Sequence, residues 1–394
     1  MRKIRLLPAI LLVAVFLSLP SLGWGEDGKV YIGLNVEASH PTSTSDDAIK
    51  QGLLVAIDEI NRAGGVLGGR NLELVEKDNR SVPARAVQNN RELAAMPNLV
   101  AVFAGKFSSA IIESLPVIHE LKLPMMAPWS SNDKIIDNGY SPNYVFRLSL
   151  SDTWAITSMM NHALKKGYTK VGVMLPVNSW GRSNDAAIQK FAAANPKISV
   201  TSVQWYNYGE NTLAEKYDTI LKSGAEAVIM ISIETEGALL VREVAQMQPN
   251  QLLPIIGTAS ITGGDLFKMS GEALSKVDLV FPQTYNIHDS ETEKVKSVMA
   301  IAHRLFGIKN PVDIKSPMGF VHAYDLMHIL ALAIDKAGST DRPAVQKALG
   351  EVTDYNGLIM HYKQPFTQTR HEALSPQNVT MSRYDTSGFI REIK

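Results

Sequence analysis

Two adjacent serines, Ser108 and Ser109, follow an unbroken apolar run, Leu99–Gly105, and open a helical pattern that continues to Leu121. Hydroxyls and free backbone N–H groups at the start of a helix can hydrogen-bond a carboxylate without a full counter-charge. Ser109 is well placed for this, and Ser131, in the loop after the short apolar segment Leu123–Ala127, offers a second hydroxyl. Trp129 in the same loop and Trp180 beyond a later strand supply two indoles, which give a ligand apolar area and stacking faces. Glu234 begins another helical pattern directly after a strand, and Tyr285 follows the apolar stretch Val277–Phe281. Each residue also has an ordinary structural role open to it. The serines can serve as N-caps or loop hydroxyls, the indoles can fill space, Glu234 can be a solvated helix-start acid, and Tyr285 can pack in a hinge.

This is the chemistry of holding a solute rather than breaking a bond. The chain contains no G-x-S-x-G elbow, no H-E-x-x-H, no G-x-x-x-x-G-K-[ST] and no G-x-G-x-x-G following a strand. Gly64–Gly69 reads GGVLGG, but it follows a helical pattern and so cannot cradle a phosphate as a strand-to-helix loop does. Cysteine is absent, which removes disulfides, thiolate metal sites and a cysteine nucleophile. His322 and His328 stand six apart, off the spacing of three or four that shares a helix face for a metal. Met125-Met126 and Met159-Met160 read as core filler, and Asn378-Val379-Thr380 as an incidental match to the glycosylation pattern. No enzyme activity, cofactor or metal is expected. The 39 basic and 39 acidic residues give no sign of a nucleic-acid or anionic-membrane partner.

The amino terminus reads as an export signal. Arg2, Lys3 and Arg5 precede the apolar run Leu6–Leu19, and Gly23-Trp24-Gly25 places small residues where a signal peptidase inspects them. Cleavage after Gly25 is expected. A membrane anchor is the alternative, but the run is short of the roughly 20 residues that span a bilayer. No other segment reads as long and apolar enough to span, His328–Ile334 being the middle of an amphipathic helix.

Behind these residues, strands and helices alternate with short breaks, the pattern of a parallel sheet covered by helices. Lys29–Val36 alternates as a strand. Ile49, Leu53, Ile57 and Ile60 form one helical face that ends at Gly64-Gly65, and Leu72 and Leu74 begin the next strand. Asp46 and Asp47 suit the start of that helix, with Thr42–Ser45 offering cap hydroxyls. The pattern restarts at Thr153–Lys166 and includes a helix expected over Asn184–Ala194. Three long helical stretches follow at Ser290–Phe306, Met318–Lys336 and Arg342–Val352. Gly357–Lys363 and Val379–Ile393 alternate like antiparallel strands, with a hairpin turn at Asp385-Thr386-Ser387-Gly388. This doubled α/β pattern predicts two lobes with a cleft beyond the strand ends.

The wording of several segments goes further. Gly52–Asp78, GLLVAIDEINRAGGVLGGRNLELVEKD, resembles the first crossover of the amino-acid-binding periplasmic receptors of ABC importers, the leucine/isoleucine/valine-binding type. Gly105-Lys106-Phe107-Ser108-Ser109 is similar to that family's G-x-x-(S/C)-S turn, and Ala127-Pro128-Trp129-Ser130-Ser131 to its S-P-A-A-T loop. Tyr144-Val145-Phe146-Arg147 with Ser151-Asp152 looks like its YVFR…SD link, Trp180-Gly181 stands where it has Tyr-Gly, and the stretch from Tyr324-Asp325 to Asp341 is close to its YDA…AIEKAGSTD.

The resemblance implies two Rossmann-like lobes with parallel central sheets joined by a three-stranded hinge, the type I periplasmic binding protein fold. The chain would cross between lobes near 148–152, 281–286 and 353–357. The expected division is a signal peptide over 1–25, lobe 1 over 26–149 plus 285–354, and lobe 2 over 150–284 plus 355–394. By the same resemblance, Ser109 and Ser131 would hold a carboxylate and the Trp129 carbonyl would accept from an amino group, with Trp180, Glu234 and Tyr285 closing the site. The function implied is capture of a small amino acid or related carboxylate or amide for an ABC permease, by a monomer in the periplasm. Without a cysteine after the leader no lipid anchor is expected, which fits a cell with an outer membrane.

A ligand-sensing subunit for a membrane receptor is the alternative, as is a receptor for an aromatic carboxylate. The pattern departs from the family at the ligand. Gly257-Thr258-Ala259-Ser260 carries no acid where many members pair with an ammonium, Ile233 replaces a tyrosine, and Glu37–Thr42 replaces P-L-T-G. Glu234 is the candidate substitute for the missing acid.

Overall fold

The computed structural model describes residues 28–39 and 44–393. The expected leader and Thr42 lie outside the described residues.

The first lobe begins with β1 (Val30–Val36), α1 (Thr44–Arg62), β2 (Leu72–Asp78), α2 (Pro83–Ala94), β3 (Leu99–Ala104), α3 (Ser108–Glu120), β4 (Met125–Ala127) and β5 (Val145–Arg147). Its five strands lie in the order β2-β1-β3-β4-β5, all parallel. Every residue of β3 is buried, as a strand covered on both faces requires.

The chain then builds the second lobe from α4 (Asp152–Lys165), β6 (Lys170–Pro176), α5 (Ser179–Ala194), β7 (Ser199–Tyr206), α6 (Ala214–Lys222), β8 (Ala227–Met230), α7 (Glu234–Val244), β9 (Ile255–Gly257), α8 (Leu266–Ser270) and β10 (Leu279–Gln283). It returns with α9 (Glu293–Phe306), α10 (Pro317–Ala337), α11 (Arg342–Leu349) and the short pair β11 (Tyr355–Asn356) and β12 (His361–Tyr362), and it ends in β13 (Thr380–Tyr384) and β14 (Ile390–Glu392). The second sheet runs β14-β13-β10-β9-β8-β6-β7, parallel except where β13 and β14 join antiparallel.

α1 and α10 pack face to face in the first core. Gly52 makes this possible, because a Cβ there would lie 2.2 Å from the Phe320 carbonyl oxygen. By length and composition the 21-residue α10 is apolar enough to cross a membrane, contrary to the reading of that region as only amphipathic. It is instead the mostly buried central helix of the first lobe.

Two local expectations need correction. α5 starts at Ser179 rather than Asn184, because the Asn178 side chain caps it by accepting from Gly181 N–H at 2.8 Å. Residues 355–374 also stay with the first lobe instead of passing to the second. Tyr355, Leu358, Tyr362, Phe366 and Leu374 join its core. Asp325 of α10 accepts from the hydroxyls of Tyr355 and Tyr362 and from the N–H groups of Leu358 and Ile359. His371 and Ala373 then bond to the Arg147 backbone along β5. The chain joins the second sheet only at β13.

Candidate functional site

The floor of the cleft is the turn from β3 into α3. Asp46, in the first turn of α1, accepts from Lys106 N–H at 2.8 Å and from Glu37 N–H at 2.9 Å, tying the end of β1 to this turn. Gly105 leaves room for that carboxylate, which a Cβ would approach to 2.8 Å. Burial pushes the Asp46 carboxyl up to about 7, although the Lys106 charge and the two N–H bonds pull the other way. The Lys106 side chain is itself buried. Its Nζ stands 3.2 Å from Glu37 Oε2 and 5.0 Å from the centre of the Phe107 ring.

The neighbouring loop is braced from beneath. Ser130 Oγ donates to the carbonyls of Gly105 and Lys106, and the buried Arg147 guanidinium donates to the Asn132 carbonyl at 3.0 Å. Arg147 also donates through Nε to Glu372 Oε2 at 2.9 Å, which compensates its charge.

The second lobe meets this floor directly. Trp180 Nε1 donates to Asp152 Oδ1 at 3.0 Å and to Ser131 Oγ at 3.1 Å, while Ser131 Oγ donates to Asp152 Oδ1 at 2.7 Å. Burial raises the Asp152 carboxyl to about 6, against hydrogen bonds from Ser183 and Ser131 that pull it down. Asn132 Nδ2 donates to the Ser179 carbonyl, and Thr44 and Ser45 both donate to the Gly263 carbonyl at 2.8 Å. Phe107 and Tyr208 meet edge to face with centroids 6.5 Å apart. The lobes are therefore in contact, and the cavity left between them is about 30 Å³, room for about two waters. A space of that size is smaller than an amino acid.

Ser109, Trp129, Ser131 and Trp180 all line this cavity. Ser109 sits in the first turn of α3 and is half-buried. Ser131 and Trp180 are engaged with Asp152 and with each other, so a ligand reaching them exchanges partners. Trp129 faces two ways. It borders the cavity, but its six-membered ring lies over Gly319 of α10, where a Cβ would come within 3.0 Å, and its carbonyl accepts from Ser149 Oγ at 2.9 Å.

Glu234 and Tyr285 are not among the lining residues. Glu234 is buried at the start of α7 behind Gly263 and Gly264, facing Thr44; burial raises its carboxyl and Lys106 lowers it. Tyr285 packs half-buried against the first core beside Ser290.

The lining also includes Ser45, Lys106, Phe107, Asn178, Tyr208 and Ser260, which the sequence reading did not single out. Lys106 and Phe107 lay inside a motif already quoted, and Tyr208 stands two residues beyond the end of β7, where the strand-end rule points. Ser45 closes the run of cap hydroxyls ahead of Asp46, and Ser260 ends the segment where the family resemblance places a partner for the ligand. Among the described residues, no group of three or more histidine or acidic side chains is arranged to hold a metal.

A family model described as periplasmic binding protein matches residues 29–387. The leucine-, isoleucine-, valine-, threonine- and alanine-binding protein of Pseudomonas aeruginosa is 23% identical over 81% of this chain and 82% of its own. Among solved structures, a type 1 periplasmic binding protein from Bordetella pertussis Tohama I superposes with a TM-score of 0.81 at 20% identity, covering 93% of this chain and 99% of that one. A leucine-binding protein from Thermotoga maritima gives 0.79 at 20% identity, covering 93% and 98%. A solute-binding protein of R. palustris in complex with benzoate gives 0.76 at 16% identity, covering 93% and 95%. With a family model spanning nearly all the described residues and two α/β lobes around an inter-lobe cavity, the chain belongs to the periplasmic binding proteins.

Proposed function

We propose that this chain is the extracytoplasmic receptor of an ABC importer, capturing a small amino acid or related carboxylate or amide by hinge closure. The observation that carries the reading is that one cavity draws its walls from both lobes, with hydrogen bonds crossing between them. A ligand shifts a closure equilibrium only through contacts that differ between the two states, and a wall shared by both lobes supplies such contacts. Ser109 and the N–H groups at the start of α3 receive the carboxylate on the first lobe, and Trp180 closes from the second. The ligand then replaces part of the Ser131–Asp152–Trp180 network.

The receptor works as a monomer without chemical turnover, is exported by a leader cleaved after Gly25, and hands its ligand to an inner-membrane permease. Tyr285 acts through the hinge and Glu234 through the lobe contact. The binding specificities named for the Pseudomonas and Thermotoga proteins support an amino acid as ligand. The four aromatic residues at the cavity, Phe107, Trp129, Trp180 and Tyr208, support an aromatic carboxylate as a second reading.

A thermal-shift screen of amino acids, amides, short carboxylates and aromatic acids tests the proposal, followed by tryptophan fluorescence. The true ligand raises the melting temperature and changes the emission of the cleft indoles. A full panel that leaves both unchanged refutes it.

A further inference from the structure

We propose that Lys106 is a built-in ammonium occupying the cation position of the cleft, so that the preferred ligand is a carboxylate bearing no ammonium group of its own. This rests on the receptor reading above and names the ligand class for the same site.

Lys106 sits on the first-lobe turn into α3, lines the cavity, and has a side chain only 3% exposed. Its Nζ pairs with Glu37 of the same lobe. Its charge also reaches Glu234 and Glu236 on α7 of the opposite lobe, drawing down carboxyls that burial raises. The protein thus carries its own positive charge at the meeting point of acids from both lobes.

An α-amino acid would bring a second ammonium into the same closed space. A desolvated ammonium needs an anion or strong acceptors in contact, or binding is heavily penalised. Among the described residues, the lining contains one side-chain cation, Lys106, and no carboxylate. The Trp129 carbonyl, which accepts from Ser149 Oγ, has a second lone pair but no charge to offer an ammonium, the Asp152 carboxylate is already engaged by Ser131 and Trp180, and Glu234 lies against Gly263 and Gly264. None of these acids is among the described residues that line the cavity. A ligand carboxylate meets the opposite situation, because Lys106, Ser108 and Ser109 line the cavity. Removing the amino group therefore removes a repulsion and leaves the attraction in place.

The test uses pairs of ligands that share a skeleton and differ in the ammonium: leucine against 4-methylpentanoate, phenylalanine against 3-phenylpropanoate, and phenylglycine against phenylacetate. Titration calorimetry on the exported chain reads the affinities. In the pair that fits the cavity, the ammonium-free acid is expected to bind at least about tenfold tighter. Lys106→Met is expected to weaken that acid by roughly 30-fold or more, Lys106→Arg to retain most of the affinity, and a circular-dichroism melt checks the fold of both. Tighter binding of the amino acid in the unaltered chain overturns the inference and leaves the importer reading intact. An acid that binds equally well to a folded Lys106→Met protein also overturns it. If neither member of any pair binds, the carboxylate reading of the site falls with it.

Discussion

Replacing Trp180 with phenylalanine keeps most of the ring's apolar area and deletes one N–H. That N–H donates at 3.0 Å to a carboxylate oxygen of Asp152, a residue only 1% exposed, and at 3.1 Å to Ser131 Oγ. A hydrogen bond to a charged group is worth about 1.5–3 kcal/mol, against about 0.5–1.5 kcal/mol for a neutral one. Asp152 has a second way to respond. Burial already holds its carboxyl at about 6, so it can take up a proton when the donor is lost, and at about pH 7.5 this costs roughly 2 kcal/mol. The variant should therefore lose about 2 kcal/mol near pH 7.5, with proton uptake capping the loss.

Near pH 5 the carboxyl is already largely protonated, and only the neutral bond, about 1 kcal/mol, is lost. The linkage has a definite sign. The folded-state pKa lies above the ordinary value of 3.8, so the native state binds more protons in between, and this group's ionisation lowers stability as pH rises through about 6. Urea denaturation followed by circular dichroism, on both proteins at both pH values, gives the double difference. In that difference the other titrating groups and the small volume change of the ring cancel. Equal losses at the two pH values would refute the argument that Trp180 acts on an ionised Asp152.

Two further outcomes are expected. Gly52→Ala places a methyl 2.2 Å from the Phe320 carbonyl oxygen, a backbone atom that cannot swing aside, and should cost about 2–3 kcal/mol or more; an unchanged thermal melt would contradict the packing of α1 on α10. His322 donates from Nδ1 to the Pro128 carbonyl and accepts at Nε2 from Thr284, and burial lowers its pKa to about 4, below the ordinary 6.5. Its neutral form therefore supports the fold fully above about pH 6.5, and the support is lost as pH falls through about 4. Urea midpoints across that range should fall less for His322→Gln, by up to roughly 3 kcal/mol, and a parallel fall in the two proteins would contradict it.

The frame was legible because periodicity is local. β3 reads as a buried strand from its own residues, and α1 shows its face and its glycine stop within twenty positions. The serine turn into α3 was legible for the same reason. What escaped depends on partners far along the chain. From the sequence Trp129 could face a ligand or fill space, and it is Gly319 on α10 that opens a slot taking part of its ring into the first core. The alternation at Gly357–Lys363 gave an antiparallel pair correctly and said nothing about which lobe it joins. Asp325 decides that by gathering two tyrosine hydroxyls and two N–H groups around one buried carboxylate. Lys106 was quoted only as part of a motif, because its significance lies in acids contributed by α7.

The contact of Thr44 and Ser45 with the Gly263 carbonyl sets an asymmetry in how such a receptor can change. The acceptor belongs to the main chain and carries no net charge, so neither acid nor salt unfastens it, and no exchange of side chain at 263 removes the oxygen. The first lobe can tune its grip by editing two hydroxyls. The second lobe has only one move, and it is a blunt one: a Cβ at 263 would stand 2.5 Å from Ser45 Oγ and act as a doorstop between the lobes.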